Sequence, residues 1–176
     1  MKIIFIISFL CFSFLVFAHE GHQETINDSV QQGRPTSWIQ WIGSFHLILL
    51  HFPIALINML AISEVLGAWT KRQSFEFSSR FLIISAAVVA PPTALLGLIY
   101  SYSEPYEGIM ATFLWWHMSL GIITATLAVI SALLRARLGA DNLYYACLAL
   151  LFLLVNVTGF LGAGMTFGPY HMHFPL

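Results

Sequence analysis

Four long apolar stretches alternate with short polar segments along this chain. They cover about residues 43–66, 81–100, 109–134 and 143–165, and each has the roughly 20 residues that a helix needs to cross a bilayer. The pattern predicts an all-α membrane protein in which residues 41–168 form an up-down bundle of four transmembrane helices.

The chain begins with an apolar segment of a different kind. In residues 1–18 one Lys precedes about fifteen apolar residues, and Val16 and Ala18 stand at the two positions that signal peptidase reads. These features predict a cleaved signal peptide. The polar residues 19–40 predict a short, flexible extracytoplasmic segment, and residues 169–176 predict a short extracytoplasmic tail.

Composition supports a membrane location and narrows the function classes. Hydrophobic residues make up 59% of the 176-residue chain and charged residues 9%, whereas soluble domains have roughly a quarter charged residues. The net charge of −1 gives no indication of nucleic acid binding, and the partner that the composition predicts is the lipid bilayer. The sequence contains no Ser/His/Asp set, Gly-rich phosphate loop or metalloprotease motif, so we expect no enzymatic activity from the chain alone.

The basic residues predict an orientation. Of the six Lys and Arg that follow the signal segment, five lie within residues 70–80 and 135–142. Such loops stay in the cytoplasm, so both termini are expected on the periplasmic side of a bacterial inner membrane. Near the cytoplasmic side, Glu64 is expected to be solvated beside Lys71 and Arg72.

Histidines concentrate towards the opposite, outer side of the predicted bundle. His46 and His51 lie in the first turns of the first helix and His117 in the first turns of the third, while His171 and His173 follow the fourth. Ionisable groups inside a membrane are costly, so they usually face the bundle interior, a cofactor or a water-filled path. These histidines therefore mark the candidate site.

One hypothesis for them is a b-type haem held between the first and third helices. In this hypothesis His51 and His117 are the axial ligands, because imidazoles on facing helices at matching depth suit a haem in a bundle core. His46 lies about 140° around the helix from His51, and is expected to support the site or to bind another group. Gly159 and Gly162 of the fourth helix would either leave room for a flat ligand or simply permit close packing between helices.

Two other hypotheses use the same residues. A copper or other metal site would draw on His46, His171 and His173 together with His51, His117 and nearby methionines, since His and Met suit copper. Alternatively, the chain binds no cofactor and is a structural or accessory subunit whose histidines form hydrogen bonds between helices. Asn58 and Asn156, near the middle of the membrane, are expected to bond to each other or to backbone freed by Pro53.

Several of these motifs resemble a bacterial family of predicted four-helix membrane proteins of unknown function. The resemblance covers about residues 43–168. It is carried by His46-x4-His51-Phe52-Pro53, by the Trp-His of the third helix and by Thr158-Gly159-Phe160-Leu161-Gly162-Ala163-Gly164. Some relatives are joined to, or encoded beside, c-type cytochrome modules, so the resemblance implies haem, electron transfer and a c-type cytochrome or respiratory complex as partner.

This chain departs from its relatives at three positions. Relatives commonly have Pro after the first histidine, where this chain has Leu47, and histidines in the fourth-helix motif, where it has Phe160 and Phe167. A site that needs only His51 and His117 would survive these differences, whereas a two-haem site would not.

Overall fold

A computed structural model describes residues 37–102 and 106–168 of the chain. Within these ranges every regular element is an α-helix, and four helices are long and apolar enough to cross a membrane. This confirms the predicted all-α, four-helix fold. The predicted signal peptide at 1–18, most of the extracytoplasmic segment at 19–40 and the tail at 169–176 lie outside the described residues.

The first span, Trp38–Thr70, has three parts, and each of the other spans is one helix. The helices are α1 (Trp38–Ser44), α2 (His46–Leu49), α3 (His51–Thr70), α4 (Gln73–Ser101), α5 (Gly108–Leu138) and α6 (Asn142–Phe167). Each predicted apolar stretch lies within one observed span. The spans extend further at both ends because hydropathy locates the apolar centre of a helix rather than its polar terminal turns.

Pro53 explains why the first span is interrupted. Proline has no N–H to donate to the carbonyl group four residues earlier, and its ring crowds that carbonyl. The helix is accordingly interrupted at Leu50. A second interruption lies at Phe45, beyond the reach of the Pro53 ring, where the Phe45 N–H bonds to the Ile42 carbonyl, three residues back. By contrast, α4 continues through Pro91 and Pro92.

The spans form two helical hairpins. The first hairpin (residues 38–101) contains the first span and α4, and the second hairpin (residues 108–167) contains α5 and α6. Helix α4 packs on α5, and α3 packs on α6, so α3 and α5 face each other diagonally, as do α4 and α6.

The second hairpin repeats the buried face of the first. Buried residues of α3 recur in α5 with a shift of 71 positions, and those of α4 recur in α6 with a shift of 65. The pairs are Pro53 and Thr124, Ile57 and Ala128, Leu60 and Ser131, Glu64 and Arg135, and then Ser79 and Tyr144, Ile83 and Leu148, Ala86 and Leu151, Ala90 and Val155. Both hairpins run in the same direction, as in membrane proteins with parallel repeats.

Exposed apolar side chains cover the outside of the bundle. Ile48, Phe52, Val65 and Phe81 are each more than half exposed, as are many other large apolar residues around the helices. Such a surface is stable against lipid chains but not against water. The four spans therefore require a lipid bilayer.

The two intramembrane asparagines join α3 to α6. The Asn156 Nδ2 group donates to Asn58 Oδ1 over 3.2 Å, and each side-chain amide also donates to a carbonyl of its own helix. This confirms the predicted contact between Asn58 and Asn156.

Gly43 gives a test of the packing between the first span and α4. A Cβ atom at Gly43 would lie 2.9 Å from the backbone N and Cα of Tyr100, whereas a Cβ at Gly121 of α5 would meet only Thr158 Cγ2 at 3.9 Å. We expect Gly43→Ala to lower the free energy of unfolding by roughly 1–3 kcal/mol through overpacking. Unfolding in detergent followed by circular dichroism measures this, and Gly121→Ala should unfold at or slightly above the wild-type midpoint. Equal midpoints for the two variants would contradict the packing.

Candidate functional site

His46 of α2 turns towards α4. Its Nδ1 atom lies 2.9 Å from the Thr93 carbonyl oxygen, and the side chain is partly buried. The Thr93 hydroxyl donates to the Val89 carbonyl of its own helix, so only the Thr93 carbonyl is engaged by the imidazole. The first hairpin thus holds this ring through one main-chain contact.

His117 of α5 has the corresponding contact in the second hairpin. Its Nδ1 atom lies 2.9 Å from the Thr158 carbonyl oxygen of α6, and the Thr158 hydroxyl donates to the Leu154 carbonyl. His117 follows His46 by 71 positions and Thr158 follows Thr93 by 65, which are the same shifts as those of the buried core. The two histidine contacts belong to the internal repeat.

A glycine beside each imidazole provides the necessary space. A Cβ at Gly97 would lie 2.8 Å from His46 Cε1, and a Cβ at Gly162 would lie 3.0 Å from His117 Cε1. Each glycine stands four residues after the threonine whose carbonyl holds the ring. The motif Thr-x-x-Leu-Gly, at residues 93–97 and 158–162, therefore supplies both the hydrogen-bond acceptor and the space for the imidazole.

The two imidazoles meet between the hairpins. Their ring centroids are 6.1 Å apart, and their planes are almost perpendicular at 82°. A carbonyl oxygen only accepts hydrogen bonds, so the Nδ1 atom of each neutral ring carries the proton. The Nε2 lone pair of each ring then remains available, and no described residue bonds to either Nε2 atom. We call these two side chains the histidine pair.

The structure places the other predicted site residues as follows. His51 is exposed, and its Nδ1 atom lies 3.3 Å from the Ile48 carbonyl of its own span, so it does not join the pair. Gly162 lies against His117 as described, whereas Gly159 faces Ile54 with space for a methyl group. His171 and His173 lie outside the described residues, and among the described ones no three His, Cys, Asp or Glu side chains form a metal-binding group.

A second polar cluster lies at the other end of the bundle and corrects the expectation for Glu64. This residue is only 8% exposed rather than solvated, and it accepts hydrogen bonds from the hydroxyls of Tyr144 and Tyr145. The guanidinium of Arg135, also buried, lies 3.6 Å from the Glu64 carboxylate and donates to Glu76. We call these five residues the ionic cluster.

Two sequence signals point to these arrangements. The Thr-x-x-Leu-Gly motif occurs twice at a spacing of 65, which marks the two helices that hold the imidazoles. His46 precedes Glu64 by 18 positions, and His117 precedes Arg135 by the same number, so each hairpin carries one histidine and one charge on equivalent helices. Comparing the two halves of the chain would therefore have selected His46 over His51.

The histidine contacts make a prediction for the tautomers of the rings. In histidine-labelled protein above the imidazole pKa range, ¹⁵N NMR should show that the neutral rings of His46 and His117 are protonated at Nδ1. Gly97→Ala should remove one of these signals by displacing His46 from Thr93, and Gly162→Ala should remove the other. Gly159→Ala should retain both, because a Cβ there meets Ile54 only at 3.6 Å. Protonation of His46 or His117 at Nε2 in the wild type would contradict the contacts.

Comparisons with known proteins agree with the fold. Neither the curated proteins nor the solved structures include a match to this chain. A family model described as a predicted membrane protein, DUF2231, matches residues 43–172, and this range contains both hairpins from Gly43 onwards, with the histidine pair and the ionic cluster. The chain belongs to the DUF2231 family of predicted membrane proteins.

Proposed function

We propose that this chain is a membrane haem protein in which His46 and His117 ligate the iron of one b-type haem. The observation that carries the proposal is the histidine pair, in which each hairpin presents one imidazole whose Nε2 atom is unbonded. The proposal keeps the haem and His117 of the sequence-based hypothesis and replaces His51 by His46.

The spacing of the rings supports two ligands on one metal ion. Metal–nitrogen bonds to histidine are about 2 Å long, so two imidazoles that bind one ion from opposite sides have ring centroids roughly 6 Å apart. The observed separation is 6.1 Å. The histidine pair therefore has the spacing of an axial pair before any movement of the helices.

The surroundings of each ring also suit a ligand. Histidines that bind metals usually donate their other ring N–H to a carbonyl or carboxylate, which fixes the tautomer and orients the ring. The Thr93 and Thr158 carbonyls do this for His46 and His117. Because Gly97 and Gly162 have no side chains, the rings lie close against α4 and α6, and this close contact restricts their rotation.

The histidine pair lies outside the buried hydrophobic core. The buried hydrophobic core ends at Ile57, Ala90, Ala125 and Val155, and both histidines are only partly buried. An open apolar groove of about 440 Å³ follows the seam between α4 and α5, and neither histidine of the pair forms part of its wall. The groove is therefore separate from the space between the two imidazole rings.

Two imidazole ligands would determine which reactions the haem can undergo. A haem with both axial positions filled takes up and gives up one electron and offers no open position for oxygen. We therefore propose an electron-transfer subunit, with a c-type cytochrome or a respiratory complex as its redox partner.

A visible spectrum with three histidine variants tests this proposal. Protein purified in detergent from a haem-supplied host should show sharp α and β bands after reduction and about one haem per chain by pyridine haemochrome. His46→Ala and His117→Ala should each lose these bands, because each removes one axial ligand. His51→Ala is the matched control and should retain the wild-type spectrum.

Three results would contradict the proposal. A wild type without haem would exclude it, and bound copper in that sample would assign the pair to a metal ion instead. Loss of the bands in His51→Ala but not in His46→Ala would restore the ligand set predicted from the sequence.

We further propose that the histidine pair lies towards the periplasm. The basic residues between 70 and 80 and between 135 and 142 lie at the end of the bundle with the ionic cluster, and basic loops stay in the cytoplasm. With Cys147 replaced by Ala, a cysteine at Lys71 should react with a membrane-impermeant maleimide only after the inner membrane is opened. A cysteine at Glu107 should react in intact spheroplasts, and the reverse pattern would invert the orientation.

A further inference from the structure

We propose that the ionic cluster makes the first hairpin pair with the second hairpin of the same chain rather than with a like hairpin of another copy. The cluster consists of Glu64, Glu76, Arg135, Tyr144 and Tyr145. This inference concerns assembly and does not depend on whether the histidine pair binds haem.

The bonds that hold this cluster together cross from one hairpin to the other. Tyr144 donates to Glu64 Oε1 over 2.8 Å and Tyr145 to Glu64 Oε2 over 3.3 Å. Arg135 Nη2 lies 3.6 Å from Glu64 Oε1 and donates to Glu76. The first hairpin thus supplies the carboxylate acceptors, and the second supplies the guanidinium and hydroxyl donors.

The repeat determines what wrong pairing would bring together. Glu64 and Arg135 occupy equivalent positions of the two hairpins, and both are buried. Two first hairpins packed in this way would bury two Glu64 carboxylates side by side, and two second hairpins would bury two Arg135 guanidiniums. An uncompensated buried charge is strongly unfavourable, so only the unlike pair satisfies its charges.

The rest of the buried face differs between the hairpins in size rather than in charge. At the other end, both hairpins present a histidine, a threonine carbonyl and a glycine in the same arrangement. Between the two ends, several equivalent positions pair a large residue with a small one, such as Ile57 and Ala128, or Ala86 and Leu151. The ionic cluster is where the two hairpins carry buried charges of opposite sign.

The cluster is also not arranged for maximal stability. The Nε atom of Arg135 and the hydroxyl of Ser131, one turn earlier on α5, are buried and have no hydrogen-bond partner among the described residues. Replacing a buried ion pair by well-packed apolar residues is often neutral or stabilising, whereas removing one partner is costly. Apolar residues at these positions would hold the hairpins equally well, but they would not penalise the pairing of like hairpins by burying like charges.

The experiment compares one single and one triple variant of the full chain. Arg135→Met alone leaves Glu64 buried without its cation and should lower the apparent Tm by roughly 10 °C. The triple variant Glu64→Met, Tyr144→Phe, Arg135→Met removes the two buried charges and the Tyr144 hydroxyl together and should unfold within a few degrees of the wild type. Arg80→Gln, which changes an exposed pair with Glu76, is the control and should match the wild type.

Pairing is measured by co-expressing two copies of each variant that carry different affinity tags. Wild-type and Arg80→Gln chains should not capture the other tag beyond the background of mixed lysates. The triple variant should capture it as a discrete dimer in light scattering, since like hairpins could then pair without burying like charges. A stable triple variant that captures no second chain would overturn the proposal, and so would a triple variant as unstable as Arg135→Met.

Discussion

The requirement that buried polar groups find partners inside the protein governs this structure. A bilayer offers no water to its interior, so a polar side chain on an inner helix face must be met from another helix. In this bundle polar side chains of the two hairpins meet at both ends of the diagonal between the first span and α5. His46 and His117 meet at one end, and Glu64 and Arg135 meet at the other. Apolar and small residues between them let the hairpins approach, so the polar contacts fix how the hairpins are aligned.

The internal repeat places equivalent residues of the two hairpins together at each end of the bundle. The histidine end repeats the same chemistry twice, with an imidazole, a main-chain carbonyl and a glycine from each hairpin. Two imidazoles that approach from opposite sides suit a ligand whose two faces are alike, such as a planar macrocycle with iron at its centre. The ionic end presents opposite chemistry on equivalent positions, which suits recognition between unlike partners. One duplicated framework thus carries like chemistry at one end and opposite chemistry at the other.

Hydropathy located the four spans because the length and apolarity of a membrane helix are local properties of the chain. The site was harder to predict because its geometry is not local. The angle predicted between His46 and His51 assumes an unbroken helix. In the structure, Pro53 interrupts the span, and His46 bonds to α4. The solvated environment predicted for Glu64 rests on its neighbours in sequence, Lys71 and Arg72. Its partners in the structure are Tyr144, Tyr145 and Arg135. Those contacts become predictable only when the two halves of the chain are aligned.

The electron paramagnetic resonance spectrum of the oxidised protein tests the central claim most directly, because it reports the axial ligands and the angle between their planes. Two imidazoles on one ferric haem, with planes near the observed 82°, should give a low-spin signal with strongly anisotropic g values. The same signal should remain in His51→Ala. A high-spin signal would mean that one axial position lacks its histidine, and a sample without ferric haem would mean that the histidine pair serves another purpose.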